Sequence, residues 1–269
     1  MFDSATDQAT GLREMFDHSP GLTVLPMVAA RKGMGFRSLV TNIAAGFAKS
    51  GQRAIVIDAC TSGVAQNLGL RIPHDLSNLL SGEREFGDVV VQAPEGFHIL
   101  RAQKGLPEFV AASSDPVELF LGFRRLEEPF DVAILAGAVA EIAAMTRNQE
   151  DLLFVTTPEG EALTATYAEI KHASADHEQQ AFRVLVNRVD DEREGLVAFN
   201  RLAETARKFL GVSIEYAGSI PRDAAFVVAD RAQRSVYGAA SASNAATRIS
   251  RLVQSTQAWR LGRYVLNEV

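Results

Sequence analysis

The chain has 269 residues, of which 47% are hydrophobic and 22% charged, and its formal net charge is -6 at pH 7. This is the composition of an ordinary globular protein, and a net negative charge argues against direct nucleic-acid binding, which needs a strongly basic surface. The single cysteine, Cys60, excludes an internal disulfide and a cysteine-rich zinc site, and the five histidines lack metal-ligand spacing. Without a membrane-span pattern or a signal-peptide core, a cytoplasmic protein with no metal is expected.

Short apolar segments alternate with segments of helical spacing along most of the chain. Seven segments rich in β-branched and apolar residues predict strands at residues 22–28, 54–57, 98–101, 132–135, 152–156, 183–186 and 214–218. Apolar periodicity predicts helices at residues 38–50, 116–126, 161–174 and 192–210. Alternating strands and helices predict an α/β fold, a three-layer αβα arrangement around a mostly parallel sheet.

The domain organisation follows from the lack of a linker, repeat or low-complexity segment. One α/β domain is expected over residues 21–240, preceded by an arm at residues 1–20. In the arm, Leu12, Met15 and Phe16 share one face at helical spacing. So short a segment does not hold a helix alone, so it is expected to fold against a partner or the domain. A disordered terminus is the alternative.

The C-terminal segment, residues 241–269, has the spacing of a helix with one apolar side. Arg260 and Arg263 fall within that side, and Gly262 interrupts the helical pattern. Two alternatives follow for this C-terminal helix. It associates weakly with a membrane surface, or it packs back on the domain or on a partner.

The segment after the first predicted strand has the backbone of a phosphate-binding loop but lacks its usual side chains. Gly33 and Gly35 precede a helix, and the backbone N–H groups and helix dipole of such a turn favour an anion. A phosphate loop also needs a lysine at the terminal phosphates and a hydroxyl for magnesium, but Phe36 and Arg37 occupy these positions. Arg37 repels a cation and has no acceptor atom. A plain glycine-rich turn is the alternative.

The chain resembles the MinD/ParA group of ATPases, which have a P-loop NTPase-like fold, and within it the FlhG/FleN regulators of flagellar number and placement. The order and spacing of several short motifs carry the resemblance. They are Asp7-Gln8-Ala9-Thr10-Gly11-Leu12-Arg13, Thr41-Asn42-Ile43-Ala44, Ile55-Val56-Ile57-Asp58-Ala59, Thr156-Thr157-Pro158-Glu159, Val186-Asn187-Arg188-Val189 and Gly218-Ser219-Ile220-Pro221-Arg222-Asp223. The first is similar to the FlhG signature Asp-Gln-Ala-x-x-Leu-Arg, which separates FlhG proteins from cell-division and partition relatives.

The resemblance implies an ATP site, and the chain departs from the family pattern at that site. Arg31 aligns with the signature lysine that reaches the nucleotide of the dimer partner, and Phe36 and Arg37 replace the loop lysine and threonine. The resulting degenerate nucleotide loop, or degenerate Walker A motif, comprises Arg31, Lys32, Gly33, Gly35, Phe36, Arg37 and Ser38.

Two carboxylates of the family site are also missing. The other family nucleotide positions are Asp58, Cys60, Ala136, Asn187, Pro221 and Asp223. Cys60 replaces the carboxylate that would orient the attacking water, and Ala136 replaces a magnesium-side aspartate. By resemblance Asn187 and Pro221 would hold the adenine base, and structural turn residues are the alternative. Because hydrolysis depends on positioned charges, we expect no catalytic residue and no cofactor, with ATP and magnesium bound only if the degenerate loop still holds them.

The function that the resemblance implies is regulation of flagellar number, placement or gene expression through protein contacts, by a pseudo-ATPase. The family arm contacts FlhF, a signal-recognition-type GTPase, and that role falls here on Asp7, Gln8, Leu12 and Arg13. A flagellar transcription activator or switch protein and a second copy of the chain are further expected partners. The expected location is cytoplasmic, or peripheral at the inner membrane or cell pole.

Two other functions stay open at this point. One is a genuine ATPase in flagellar or cell-pole positioning, in which Lys32 or Arg37 substitutes for the missing lysine. The other is a partition- or division-type regulator outside motility, against which the motif at residues 7–13 argues.

Overall fold

A computed structural model describes residues 21–61, 63–124, 126–240 and 242–265. The predicted partner-binding residues of the arm, Asp7, Gln8, Leu12 and Arg13, lie outside the described residues. In the described part of the chain, no helix combines the length and the apolar content that crossing a membrane requires.

Strands and helices alternate along the described ranges. The strands are β1 (Leu22–Ala29), β2 (Ala54–Asp58), β3 (Val90–Gln92), β4 (His98–Arg101), β5 (Val132–Gly137), β6 (Leu152–Thr156), β7 (Phe182–Val189), β8 (Ile214–Pro221) and β9 (Gly262–Tyr264). The helices are α1 (Phe36–Lys49), α2 (Val64–Asn67), α3 (Leu76–Leu80), α4 (Phe86–Val89), α5 (Gly105–Ala111), α6 (Pro116–Arg124), α7 (Val139–Ala144), α8 (Gly160–Asp176), α9 (Glu192–Leu210), α10 (Ala224–Arg231), α11 (Val236–Ala239) and α12 (Asn244–Ser255). A 3₁₀ turn, Thr256–Ala258, follows α12.

The strands form one sheet in the order β3-β4-β2-β5-β1-β6-β7-β8, and β9 pairs with β1 outside that path. The β3–β4 and β1–β9 pairs are antiparallel, and the other pairs are parallel. Strands β2, β5 and β6 are buried along their whole length, as strands covered on both faces should be. The predicted α/β fold with a mostly parallel sheet is therefore confirmed.

Side chains that alternate along β1 enter two separate cores, one on each face of the sheet. Leu22, Val24 and Val28 belong to the core that α3 to α9 cover. Leu25 and Met27 belong to the core that α1, α2 and α10 to α12 cover. Because a strand presents successive side chains to opposite faces, this alternation produces the predicted three layers.

The C-terminal segment differs from the single helix expected over residues 241–269. Helix α12 ends at Ser255, and Gly262 begins β9, which pairs antiparallel with the start of β1. The apolar residues Ile249 and Val253 of α12 are buried against α1. The approach is close because α1 has Gly46 at this point, where a Cβ atom would lie 3.0 Å from Val253 Cγ2. Helix α12 therefore packs on the domain, which was one of the two alternatives.

Candidate functional site

The loop of residues 30–35 joins β1 to α1 at the carboxyl edge of the sheet, where open α/β sheets place their ligands. Gly33 and Gly35 have φ angles of 92° and 73°, a region that glycine adopts readily. Gly35 is the N-cap of α1 and offers no side-chain cap. The backbone of an anion-binding turn is therefore present.

The side chains that follow the loop do not supply the charge and hydroxyl of a phosphate loop. Phe36 is half-buried and packs against the core beneath α1. Arg37 is also half-buried, and its positive charge lies near Asp58 and Cys60. The residues at the lysine and threonine positions are therefore both half-buried, and Phe36 has no donor for a phosphate.

Asp58, at the end of β2, holds the turn that follows it. Its carboxylate is 1% exposed and accepts from the backbone N–H groups of Val64 at 2.5 Å and Cys60 at 3.1 Å. Burial raises the pKa of Asp58, while these two hydrogen bonds and the charge of Arg37 act in the opposite direction. A Cβ atom on Gly63 would lie 2.6 Å from Asp58 Oδ2, so the turn closes tightly on the carboxylate.

The two positions at which the family has further carboxylates carry a thiol and a methyl group. Burial, with the nearby charge of Asp58, raises the pKa of the half-buried Cys60 thiol, which is therefore neutral. Ala136 is fully buried, and its carbonyl oxygen accepts from Ala59 N at 2.8 Å. Among the described residues, no three His, Cys, Asp or Glu side chains group to hold a metal. Magnesium prefers several oxygen ligands, and this donor set does not fit it.

Two residues at the end of β7 contact the loop directly. Asn187 Nδ2 donates to the Met34 carbonyl oxygen at 2.8 Å, and Arg188 Nη1 donates to the Gly33 carbonyl oxygen at 2.6 Å. Asn187 is only 5% exposed. The structure therefore places the predicted residue Asn187 at the loop, with its amide N–H bound to backbone.

Asp223 has a structural position at the start of α10. Its Oδ1 accepts from Ala225 N at 2.8 Å as the helix cap, and its Oδ2 accepts from Ala245 N at 2.9 Å. The side chain thus links the N-termini of α10 and α12. Pro221, two residues earlier, ends β8.

A cavity of about 290 Å³ lies beside the loop. It is lined by Gly35, Ser38, Asn187, Arg188, Pro221, Arg222, Asp223, Phe226, Val227 and Asp230. Five of these are predicted site residues: Gly35, Ser38, Asn187, Pro221 and Asp223. The predicted residues Arg31, Lys32, Gly33, Phe36, Arg37, Asp58, Cys60 and Ala136 are not part of its lining. The cavity therefore brings the base positions together with Gly35 and Ser38 of the loop, apart from the other loop positions and the magnesium position.

Sequence reasoning missed the remaining lining residues. Arg188 and Arg222 lie inside motifs that had been noted, so their position next to Asn187 and Pro221 was an available signal. Phe226, Val227 and Asp230 lie on or near α10, a helix that the periodicity did not predict.

Ion pairs surround the loop and the cavity. Arg31 Nη1 lies 2.9 Å from Glu161 Oε2, so the side chain at the signature-lysine position pairs within its own chain. Arg222 pairs with Glu159 at 3.3 Å and with Asp190 at 3.1 Å. All these side chains are about half or more exposed, so solvent weakens each pair and their main effect is on orientation.

Comparisons with known proteins give two relatives connected with flagella. The chain is 29% identical to the antiactivator FleN of Pseudomonas aeruginosa over 246 residues, which covers 88% of this chain and 87% of FleN. It is 22% identical to the flagellum site-determining protein YlxH of Helicobacter pylori, over 77% of this chain and 72% of YlxH. No protein-family model matches the chain.

Among solved structures, the chain is similar to one in the MinC:MinD cell division protein complex of Aquifex aeolicus. The TM-score is 0.68 at 18% identity, and the alignment covers 87% of this chain and 95% of the other. An identity this low is evidence for the fold alone. The chain is therefore a homologue of FleN, with which it aligns over most of both lengths, and it has the fold of MinD.

Proposed function

We propose that this protein regulates flagellar number, flagellar placement or flagellar gene expression through contacts with other proteins, and that it does so without hydrolysing ATP. The flagellar role is supported by the similarity to FleN and to YlxH, which extends over most of each chain. The lack of hydrolysis is supported by the residues around the loop rather than by the relatives.

The observation that carries the proposal is Phe36. A triphosphate needs a cation at this position, and an apolar side chain packed on the core supplies none. Losing one such electrostatic contact typically costs about 3–4 kcal/mol in an active site. In addition Cys60 and Ala136 supply no carboxylate, and Asp58 already binds two backbone N–H groups. With the cation and two carboxylates missing together, no useful turnover of ATP remains.

The protein contacts belong to separate parts of the chain in this proposal. Residues 1–20 are the partner-binding arm, with Asp7, Gln8, Leu12 and Arg13 contacting an FlhF-like GTPase. The domain over residues 21–240 presents surfaces to a flagellar transcription activator, to a switch protein or to a second copy. The protein acts in the cytoplasm, with peripheral association at the inner membrane or cell pole as the second location.

A genuine ATPase with an unusual loop is the second candidate function, because the cavity beside the loop persists and Lys32 is exposed. Within the described chain, Lys32 has no ion-pair partner, so its ammonium group is available to an anion. Arg37 is less suited to this role, since it is half-buried and its charge lies near the Asp58 carboxylate. Lys32→Ala separates the candidates, because it abolishes phosphate release only if the protein is an ATPase.

Isothermal titration with ATP and magnesium tests the proposal on the full chain. We expect no saturable binding, and a dissociation constant in the micromolar range would contradict the pseudo-ATPase. Deletion of the gene, followed by counting of flagella per cell, tests the biological role. An unchanged number and position of flagella, with unchanged flagellar transcripts, would contradict it.

A further inference from the structure

Two neighbouring side chains of β7 reach across the sheet edge to the loop after β1. Strand β6 lies between β1 and β7, so these contacts span a strand rather than join direct neighbours. Asn187 Nδ2 lies 2.8 Å from the Met34 oxygen, and Arg188 Nη1 lies 2.6 Å from the Gly33 oxygen. The two bonds end on two consecutive carbonyl groups of the loop. Together they therefore fix the path of the loop backbone and not only the position of one atom.

The loop is also packed closely against the same two side chains. A Cβ atom on Gly35 would lie 2.6 Å from Asn187 Nδ2 and 3.4 Å from Arg188 Nε. Three consecutive loop residues, 33–35, therefore contact Asn187 and Arg188 by a hydrogen bond or by van der Waals approach. The absence of a side chain at Gly35 is what allows this approach.

Arg188 lies at an irregularity of β7, where the register of its pairing with β8 shifts between Asn187 and Val189. Its φ angle is 60°, in the left-handed region that is unfavourable for residues with a Cβ atom. Such a conformation persists where the surrounding contacts over-determine it. The short bond to Gly33 is one such contact, because it anchors the guanidinium end of the side chain.

We propose that Asn187 and Arg188 form a latch that keeps residues 33–35 in place without a nucleotide. In this role they are positioning residues, because they act on the loop and not on a substrate. The consequence is that the surface around the loop is presented to partners constantly, not only after a ligand has ordered it. The latch goes beyond the proposed function, since it concerns the loop in the absence of nucleotide.

Hydrogen exchange of the full chain without nucleotide tests the latch. Asn187→Asp is nearly isosteric but cannot donate to Met34, and Arg188→Ala removes the bond to Gly33. For each variant we expect the exchange of the Leu39 amide, which donates to the Gly35 carbonyl oxygen at 3.0 Å, to accelerate about tenfold, the effect of losing one hydrogen bond of typical net strength. Arg188→Lys keeps one donor and should restore much of the protection of the loop. If only the shape of the arginine side chain mattered, lysine would not restore it.

Arg222→Ala is the matched control, because Arg222 lines the same cavity and pairs with Glu159 and Asp190. In the described structure it makes no hydrogen bond to the loop, so its loss should leave the Leu39 amide protected. Trypsin provides a second measurement, since it cleaves after Arg31 and Lys32 once the loop opens. Faster cleavage is expected for Asn187→Asp and Arg188→Ala and not for Arg222→Ala.

Two results would overturn the latch. One is unchanged exchange of the Leu39 amide, with unchanged trypsin cleavage of the loop, in both latch variants. The other is an acceleration spread evenly over all strands, which would make the two residues general supports of the fold. Tight ATP binding by the wild type would contradict the proposed function but not the latch, provided that the loop is protected before ATP is added.

Discussion

Three polar side chains near the loop form hydrogen bonds with the protein's own backbone. The carboxylate and amide groups that make these bonds are the ones that a nucleotide site would need. The Asp58 carboxylate accepts from Val64 and Cys60, and the Asn187 amide donates to Met34. The Asp223 carboxylate caps one helix and reaches the start of another. These contacts give each residue a structural reason to be present that is independent of ATP.

A substitution at Gly35 tests how closely the loop is packed. Gly35→Ala places a Cβ atom 2.6 Å from Asn187 Nδ2 at a φ angle of 73°. We expect the free energy of unfolding to fall by about 2–3 kcal/mol, from backbone strain and overpacking together. Gly33→Ala is the matched control, because φ is 92° there but nothing lies within 4 Å of the added atom. It should cost about 1–2 kcal/mol, and equal losses in urea unfolding would contradict the packing argument.

His98 should make the stability of the protein depend on pH. Burial, together with the positive charge of Arg53, lowers the pKa of His98 below its ordinary value of 6.5. Its Nδ1 is buried, without a hydrogen-bond partner among the described residues, and its ring packs on Phe130 with centroids 5.2 Å apart. Because the unfolded chain binds the proton more tightly, the stabilising contribution is present above pH 6.5 and is lost as the pH falls through the folded pKa.

Urea unfolding between pH 7 and pH 5 measures this contribution. The free energy of unfolding of the wild type should decrease over that interval. His98→Gln cannot take up the proton, so its decrease should be smaller. If the wild type and His98→Gln lose stability equally between pH 7 and pH 5, other groups cause the pH dependence and the argument for His98 is wrong.

At the scale of helices and strands, prediction from sequence succeeded where an element is long and buried. All seven predicted strands are present, because their apolar runs are needed on both faces of the sheet. Prediction from sequence missed two strands, β3 and β9. Each has three residues, and β3 pairs antiparallel with β4 while β9 pairs antiparallel with β1. Helices α2, α4 and α11 have only four residues, too few for a periodic pattern.

The site was predictable only in the part that depends on local sequence. Gly33 and Gly35 mark the loop, because their positive φ angles are a local requirement. The contacts of Asn187 and Arg188 with that loop depend on the order of β1, β6 and β7 in the sheet. No spacing along the chain encodes that order, so these bonds could be found only in three dimensions.

One buried carboxylate holds the segment before β9. It lies at the edge of the sheet opposite to the loop. Asp151 is fully buried and accepts from Arg183 Nε at 2.7 Å, Arg260 N at 2.8 Å and Arg260 Nη2 at 3.1 Å. Its own N–H donates to the Arg260 carbonyl oxygen at 2.7 Å. Arg183 also lies over the Trp259 ring, 4.8 Å from its centroid. The segment before β9 is therefore tied to the sheet through a single charged cluster.

Asp151→Ala should destabilise the protein by about 3–5 kcal/mol, because it removes the fully buried carboxylate of the cluster and leaves the mostly buried Arg183 with the half-exposed Glu215 alone. Urea unfolding measures the loss, and trypsin cleavage after Arg260 should become faster as the segment detaches. Glu128→Ala is the control, since its pair with Arg53 is 76% exposed on the glutamate side and should change stability by less than about 1 kcal/mol. Similar losses for both variants would contradict a special role of Asp151.

On the scale of the whole molecule, the loop and the root of the arm lie at opposite ends of β1. The arm joins the domain at Gly21, next to Val265, and the loop leaves β1 after Ala29. Eight strand residues separate the two points, roughly 25 Å at the usual rise per residue. A protein bound to the root of the arm and a ligand at the loop would therefore occupy different ends of the sheet. The proposed contact through the arm is therefore separated in space from any ligand at the loop.

Restoring the family residues should make the assembly of the molecule respond to ATP. The variant Phe36→Lys, Arg37→Thr, Cys60→Asp, Ala136→Asp returns the cation, the hydroxyl and both carboxylates to a backbone that already has the loop glycines. In sedimentation velocity with ATP and magnesium, we expect the wild type to keep one sedimentation coefficient and the variant to shift to a dimer. Phe36→Leu is the control for altered packing without charge and should behave as the wild type does. A wild type that dimerises with ATP would show that the loop is functional as it stands, because the only change between the two samples is the nucleotide.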